Sequence, residues 1–227
     1  MTDMTVPVSR NTRRSDALSR DRIVEAAVEV LDATGEAGLT VRALTAHLST
    51  GRGAIYHHVV NKEELLAAAV DEIVGRVTAA AGGDDDPGRA IRALALGIFD
   101  AIDAHPWVGT QLSREPRQPA VFRIWRSVGS QLQRLGVPAA AMAAAGSALV
   151  NYVLGAAAQY AAGARRATGD ADRKAYLATL AAQWAQHDPD PIVQEAAARL
   201  DDHDDREQYL AGVEIFLTGI TAVAARG

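Results

Sequence analysis

From Pro138 to Ala164 the chain carries no charged residue. A helix of that length could cross a bilayer, and a helix apolar on every side can equally be buried inside a protein. The composition favours burial. Most of the stretch is alanine and glycine, only weakly lipophilic; it contains Ser147, Asn151 and Gln159, and no basic cluster precedes it. Small side chains let helices approach closely, so this segment is expected at a subunit interface, with no membrane involved. The rest of the chain is consistent with that. Of 227 residues 48% are hydrophobic and 5% aromatic, and the many alanines favour helix. No segment alternates with the period of a strand. The fold expected is all-α.

The stretch Thr40–Lys62 constrains the other end. Val41, Leu44 and Leu48 recur at spacings of three and four, one face of a short helix. Thr40 precedes them as an N-cap, whose hydroxyl can accept from a first-turn amide. Ser49-Thr50-Gly51 reads as a turn. A second helix, over about 52–59, turns Ile55 and Val59 inward and leaves Arg52, Gly53, Tyr56 and His57 as one small polar face. Asn61 caps a further helix, with Glu64 three residues on, as in a capping box. Two helices this short cannot bury a core alone. A preceding helix, about 20–33, offers Ile23, Ala26, Ala27, Val30 and Leu31 to brace them, and Gly35 stops it. The three make a helix-turn-helix unit, whose second helix enters the DNA major groove.

Leu44, Leu48, Gly53-Ala54-Ile55-Tyr56, His58-Val59, Asn61-Lys62 and Leu65 resemble the DNA-binding signature of the TetR family of transcriptional repressors, closely over about residues 20–73 and in architecture beyond. The resemblance implies a homodimer on a palindromic double-stranded operator, its recognition helices about 34 Å apart. It implies release by a small, mostly apolar effector. The residues expected to meet DNA are Thr40, Arg42, Thr50, Gly51, Arg52, Gly53, Tyr56, His57 and Lys62. Arginine's fork matches the O6 and N7 of guanine, so Arg52 is the expected base reader, with His57 at a base-reading position of the motif. Tyr56 and Lys62 are expected on phosphates, and His58 packed behind the helix. Two places depart from the family pattern. Thr45 stands where alanine is usual, and Ser49-Thr50 where Gly-Val is usual. The family glycine adopts a left-handed backbone; a serine there costs about 1 kcal/mol unless Gly51 takes over the bend.

Three domains are expected: a disordered basic arm over 1–18 with Arg10, Arg13 and Arg14, the helix-turn-helix domain over 19–66, and a larger ligand-binding and dimerisation domain over 67–227. Net charge is −5, with a slight basic excess confined to the N-terminal part, as suits a chain touching phosphate at one end. The absence of cysteine fits a reducing cytoplasm, and the N-terminus has no apolar run of a signal peptide. Gly82-Gly83-Asp84-Asp85-Asp86-Pro87 is the clearest break, with Asp86 as cap and Pro87 in the first helical position. Helices follow with Ile91, Leu94, Ile98, Phe99 and Ile102, then Trp107 and Leu112, then Val121, Phe122, Trp125, Val128 and Leu132. Another holds Tyr176, Leu177, Leu180 and Trp184, and Asp188-Pro189-Asp190-Pro191 is a break. The closing helix, about 205–225, has Leu210, Val213, Phe216, Leu217 and Ile220 on one side. It resembles the last helix of tetracycline-repressor-like domains, which joins the uncharged helix and their twins in a four-helix dimer bundle.

Candidates for an effector cavity are Phe99, His105, Trp107, Gln111, Trp125, Asn151, Tyr152, Gln159 and Tyr160. Asn151 and Gln159 stand out because an amide inside an uncharged helix needs a partner: a ligand, a twin subunit or a neighbouring carbonyl. Tetracycline-binding relatives hold magnesium with a histidine and a glutamate. The corresponding positions here fall near Gln111-Leu112 and at Gln159, so no metal and no cofactor are expected. No nucleophile–base pattern or phosphate loop is present, and His187-Asp188 and His203-Asp204 read as solvated surface, so no enzyme is expected. The alternative is a helical small-molecule-binding protein with a degenerate DNA-binding head.

Overall fold

The computed structural model describes residues 18–164, 170–200 and 203–226. The arm expected over 1–18 lies outside them apart from Leu18. Every regular element among the described residues is a helix. The chain divides between Ala69 and Val70 into two compact units.

In the first unit, α1 (Arg20–Gly38) begins at Ser19, whose hydroxyl accepts from the Arg22 amide at 3.2 Å. Ile23, Ala26, Ala27, Val30 and Leu31 are buried, as expected. The helix changes direction at Gly35, where φ is 67°. That value suits glycine, which has no Cβ to clash, and one more turn reaches Gly38. Thr40 caps α2 (Val41–His47), accepting from the Ala43 amide at 3.1 Å. Then comes α3 (Arg52–Tyr56), shorter than the 52–59 expected. His57 and His58 form a turn instead, which lets the Val59 amide donate back to the Ile55 carbonyl at 3.1 Å and keeps Val59 buried. The next helix, α4 (Lys62–Ala81), starts at a reciprocal cap. Asn61 Oδ1 accepts from the Glu64 amide at 2.7 Å, and the Glu64 carboxylate accepts from the Val60 amide at 3.1 Å. Leu39, Leu44, Ile55, Val59, Leu65 and Leu66 are buried with the α1 face.

The second unit holds the rest of α4 and seven more helices: α5 (Pro87–Ala104), α6 (Pro106–Arg114), α7 (Pro119–Arg134), α8 (Ala139–Ala164), α9 (Asp170–His187), α10 (Pro191–Ala198) and α11 (Asp205–Ala224). Asp86 caps α5 as expected, accepting from the Arg89 amide at 2.6 Å, and Pro87 follows it. The break at 188–191 is also the start of α10, capped by Asp190 on the Ile192 amide at 2.8 Å. The uncharged helix α8 packs against α5, α6, α7 and α11, while α9 pairs with α10. One face of α8 is buried through Leu149, Val150, Val153, Ala157 and Ala161. The other, Ala140, Ala144, Ala148, Asn151, Gly155 and Gln159, is exposed in the single chain. By length and hydropathy Ala139–Gly163 could span a membrane, but its buried face belongs to this domain's core and its open face is small and partly polar. Phe122 is 57% exposed, because α7 buries Val121, Ile124, Val128 and Leu132, one position off it, and Trp184 on α9 is 43% exposed.

The centre of this unit is Tyr209, fully buried on α11. Its hydroxyl lies 3.0 Å from the Ala95 carbonyl of α5 and 3.3 Å from the Val153 carbonyl of α8. Burial holds its phenol well above the ordinary tyrosine range. Tyr152 returns the contact, donating to the Tyr209 carbonyl at 2.9 Å, with the two rings stacked at 5.8 Å. Gly212 makes room for it: a Cβ there would lie 1.8 Å from the Tyr152 hydroxyl. Ion pairs Arg92–Glu214 and Arg206–Asp100 clasp α5 to α11 on either side. Gly212→Ala is therefore expected to lower unfolding free energy by about 1–3 kcal/mol, measured by urea denaturation. The same substitution should cost less on a Tyr152→Phe background, where the hydroxyl is gone. Equal costs on both backgrounds would mean that the hydroxyl does not set the fit.

Candidate functional site

The turn between α2 and α3 sets the direction of α3. Its amides close a helix-ending motif: Ser49 donates to the Ala46 carbonyl at 3.4 Å and Thr50 to the Thr45 carbonyl at 3.1 Å. That motif needs a left-handed residue just past the cap. Ser49 supplies it, with φ of 49°, and Gly51 does not share the bend, since its φ is −86°. Thr45 fits by turning its hydroxyl back to the Arg42 carbonyl at 3.0 Å.

Beyond the turn, Gly51, Arg52, Gly53, Tyr56 and His57 are all exposed, Tyr56 by 60%. Residues four apart on one helix share a face, so α3 presents Arg52 and Tyr56 together above backbone left bare by glycine, with the exposed His57 in the turn that follows. Ile55 anchors the opposite side in the core. Thr40 and Arg42 are exposed at the start of α2, and Thr50 is half-buried in the turn. Lys62, at the start of α4, donates from Nζ to the Glu36 carbonyl at 2.5 Å. A cleft of about 280 Å³ is bordered by Thr40, Tyr56 and Lys62, which brings these three side chains to one rim. His58 is half-buried beside His57, ring centroids 6.3 Å apart.

In the larger unit the cavity candidates separate into groups. Phe99, Tyr152 and Tyr160 meet around Tyr209; Phe99 lies 4.9 Å from Tyr209 and 6.0 Å from Tyr160, ring to ring. His105 and Trp107 sit 6.1 Å apart at the α5–α6 corner, and Gln111, buried on α6, accepts at its carbonyl from Gln118 Nε2 at 2.8 Å. Trp125 rests against Gly146. Asn151 and Gln159 lie on the open face of α8. Two of the cavities that adjoin α9 lie toward its start. One, about 370 Å³, is bordered by Gln159 and Tyr160. The other, about 470 Å³, is bordered by Phe99. Both share Arg173, Leu177, His203 and Asp205. His203 is corrected here. Its side chain is 20% exposed, Nε2 lies 3.0 Å from the Asp205 carboxylate, and its ring packs at 5.9 Å on Tyr160. Burial pushes the Asp205 carboxyl above its ordinary value, against the pull of Arg173 and His203. Among the described residues no acid–histidine cluster could hold a metal ion.

An open-faced helix-turn-helix beside a separate helical domain with its own core defines a regulator of the helix-turn-helix class. Residues 23–69 match the bacterial regulatory proteins of the tetR family. A TetR transcriptional regulator from Streptomyces coelicolor is 49% identical, with a TM-score of 0.82 over 91% of this chain and 99% of that one. The chain belongs to the TetR family of transcriptional regulators. The transcriptional repressor DrrR1 of Streptomyces coeruleorubidus is 32% identical over 168 residues, 72% of this chain. The chain spans about 62% of the length of the curated relatives it matches. ActR of Streptomyces coelicolor, solved with actinorhodin, shares the fold: TM-score 0.72, 23% identity, 91% of this chain and 98% of that one.

The left-handed serine gives a direct test. Ser49→Gly is expected to raise stability by about 0.5–1 kcal/mol, less whatever glycine gains in unfolded-chain entropy. Hydrogen exchange of the α2 and α3 amides should slow; faster exchange would mean that the serine is not strained.

Proposed function

We propose that the protein is a repressor that binds a palindromic DNA operator as a homodimer and is released by a small, mostly apolar effector. The observation that carries this is the α3 face. Arg52 and His57 are exposed for base edges and Tyr56 for a phosphate; Lys62 at the start of α4, exposed but bonded to the Glu36 carbonyl, would turn to a second phosphate, and Thr40, Arg42, Thr50, Gly51 and Gly53 border them. Arg52 at the first position of α3 has the reach for a guanine. A formed turn at Ser49 speaks against a degenerate head.

The homodimer reading rests on uncharged open surface. The exposed α8 stripe, and Ala211, Ile215, Thr218 and Ala222 on α11, form faces that pack closely only against another helical surface. Ile215 is 74% exposed, a large apolar side chain with nothing over it in one chain. Asn151 and Gln159 would then meet the twin subunit. The effector reading rests on the cavities beside α9 and on aromatic Phe99 and Tyr160 at their walls; ActR, which shares this fold, binds actinorhodin. An effector that favours one arrangement of the heads must lose affinity when operator is bound. A regulator of this kind works in the cytoplasm.

Selection of genomic fragments by the purified protein at near-physiological salt is expected to enrich a palindrome; recovery of no sequence would refute operator binding. On that operator, Lys62→Ala is expected to weaken binding to all sequences and reduce the salt slope by about one. Arg52→Ala is expected to relax preference at one base position, with a loss of about 1–3 kcal/mol. Unchanged preference in the Arg52 variant would exclude it as the reader. Because Lys62 also holds the Glu36 carbonyl, Lys62→Ala is compared with wild type for helicity before its binding is scored.

A further inference from the structure

Glycine inside a helix is less stable than alanine, and where a Cβ would meet nothing, the protein's own packing does not offset that cost. Among the described residues, Gly53, Gly155 and Gly219 are the exposed helical glycines with nothing beyond their chain neighbours and their own helix backbone within 4 Å of the place a Cβ would take. Gly155 and Gly219 lie on α8 and α11, whose open faces are the proposed dimer contact. Gly53 lies on α3. Its φ is not in the left-handed range, so the backbone there does not call for glycine either. At about 100° per residue, Gly53 stands roughly opposite Ile55, which is buried. It is therefore on the line of α3 farthest from the core of its unit. His57, one turn on, donates its amide to the Gly53 carbonyl at 3.2 Å and continues that line. Arg52 and Tyr56 flank it on one side, and the half-buried Ala54 on the other.

A helix laid in the major groove with this line foremost brings a bare Cα against the base edges. The Cα has no hydrogen-bonding group of its own. A base amino group, ring nitrogen or carbonyl oxygen pressed against it would give up water without gaining a partner, which is costly. The apolar group that projects from base edges into the major groove is the 5-methyl of thymine. We propose that Gly53 is a specificity-determining residue: the space left by its missing Cβ receives a thymine methyl beside the base pair that Arg52 reads. The inference rests on the operator-binding reading, and it names a base which that operator requires.

The test uses full-length protein and the duplex that wild type enriches from genomic fragments, with binding read by fluorescence anisotropy at near-physiological salt. Gly53→Ala is expected to bind that duplex about tenfold more weakly. Its urea midpoint is expected to rise, because alanine favours the helix and its methyl meets nothing in the protein. The thymines of the duplex are then replaced one at a time by deoxyuridine, which lacks only the methyl. At one position in each half-site, wild type is expected to lose about fourfold in affinity. On that same duplex Gly53→Ala is expected to recover most of its loss, since the methyl and the Cβ compete for one space. A Gly53→Ala protein that binds as tightly as wild type would overturn the proposal, and so would a loss that no deoxyuridine relieves. If wild type enriches no sequence, the operator reading falls and this inference with it. Failure of the substitutions on an enriched duplex overturns this inference alone.

Discussion

The hydroxyl of Tyr209 is the polar centre on which the larger unit depends. A phenol buried this deeply must find acceptors, and the carbonyls in reach belong to two different helices, Ala95 on α5 and Val153 on α8. Helix carbonyls already bonded within their own helices accept a second hydrogen bond through a free lone pair. One side chain of α11 thereby fixes three helices. Tyr152 repeats the device in the opposite direction, from α8 to the Tyr209 carbonyl, and that return needs the bare backbone of Gly212. Ion pairs on the rim of the same contact are partly exposed, where such pairs contribute little. Register comes from the tyrosines; the rim pairs follow it.

This arrangement also leaves α8 with two unlike faces. Its large side chains, Leu149, Val150 and Val153, are spent inward. Alanine, glycine and two amides remain outside. A helix without charge on either face is hard to leave in water, and the inward half is already filled by α5, α6, α7 and α11. The outward half is the part that a second copy can cover, and α11 supplies the neighbouring uncharged strip. The same two helices thus serve the core and the proposed dimer contact, so a change in the packing of α11 would be felt at both.

Much of this was legible in the sequence, and the misses have physical causes. Caps were readable because they are local: Thr40, Asn61 and Asp86 each bond an amide within three residues. The exposure of Arg52, Gly53, Tyr56 and His57 was readable because Ile55 and Val59 are the apolar residues of that short segment. The end of α3 was not, since it depends on where Val59 must be buried and not on helix propensity. Tyr209 lies four residues before Val213, and that spacing puts it on the inner face; the reading began the face one residue later, at Leu210. His203 was read as surface because its chain neighbours are acidic. Its burial is set by α8 and α9, which bring up Tyr160 and Arg173 from far along the chain.

Ser49 shows how a local cost can persist where the surrounding packing fixes the backbone. A glycine there would adopt the left-handed angle without clash, and Gly51, two residues later, is not used for it. The bend cannot move, because the Thr50 amide must reach the Thr45 carbonyl to close α2 while Ile55 stays in the core. Shifting the left-handed residue to Gly51 would open that closure and turn α3 about its own axis. Arg52 and His57 would then point elsewhere. The core contact of Ile55 and the closure of α2 together fix the face that α3 presents, and the serine bears the remaining strain.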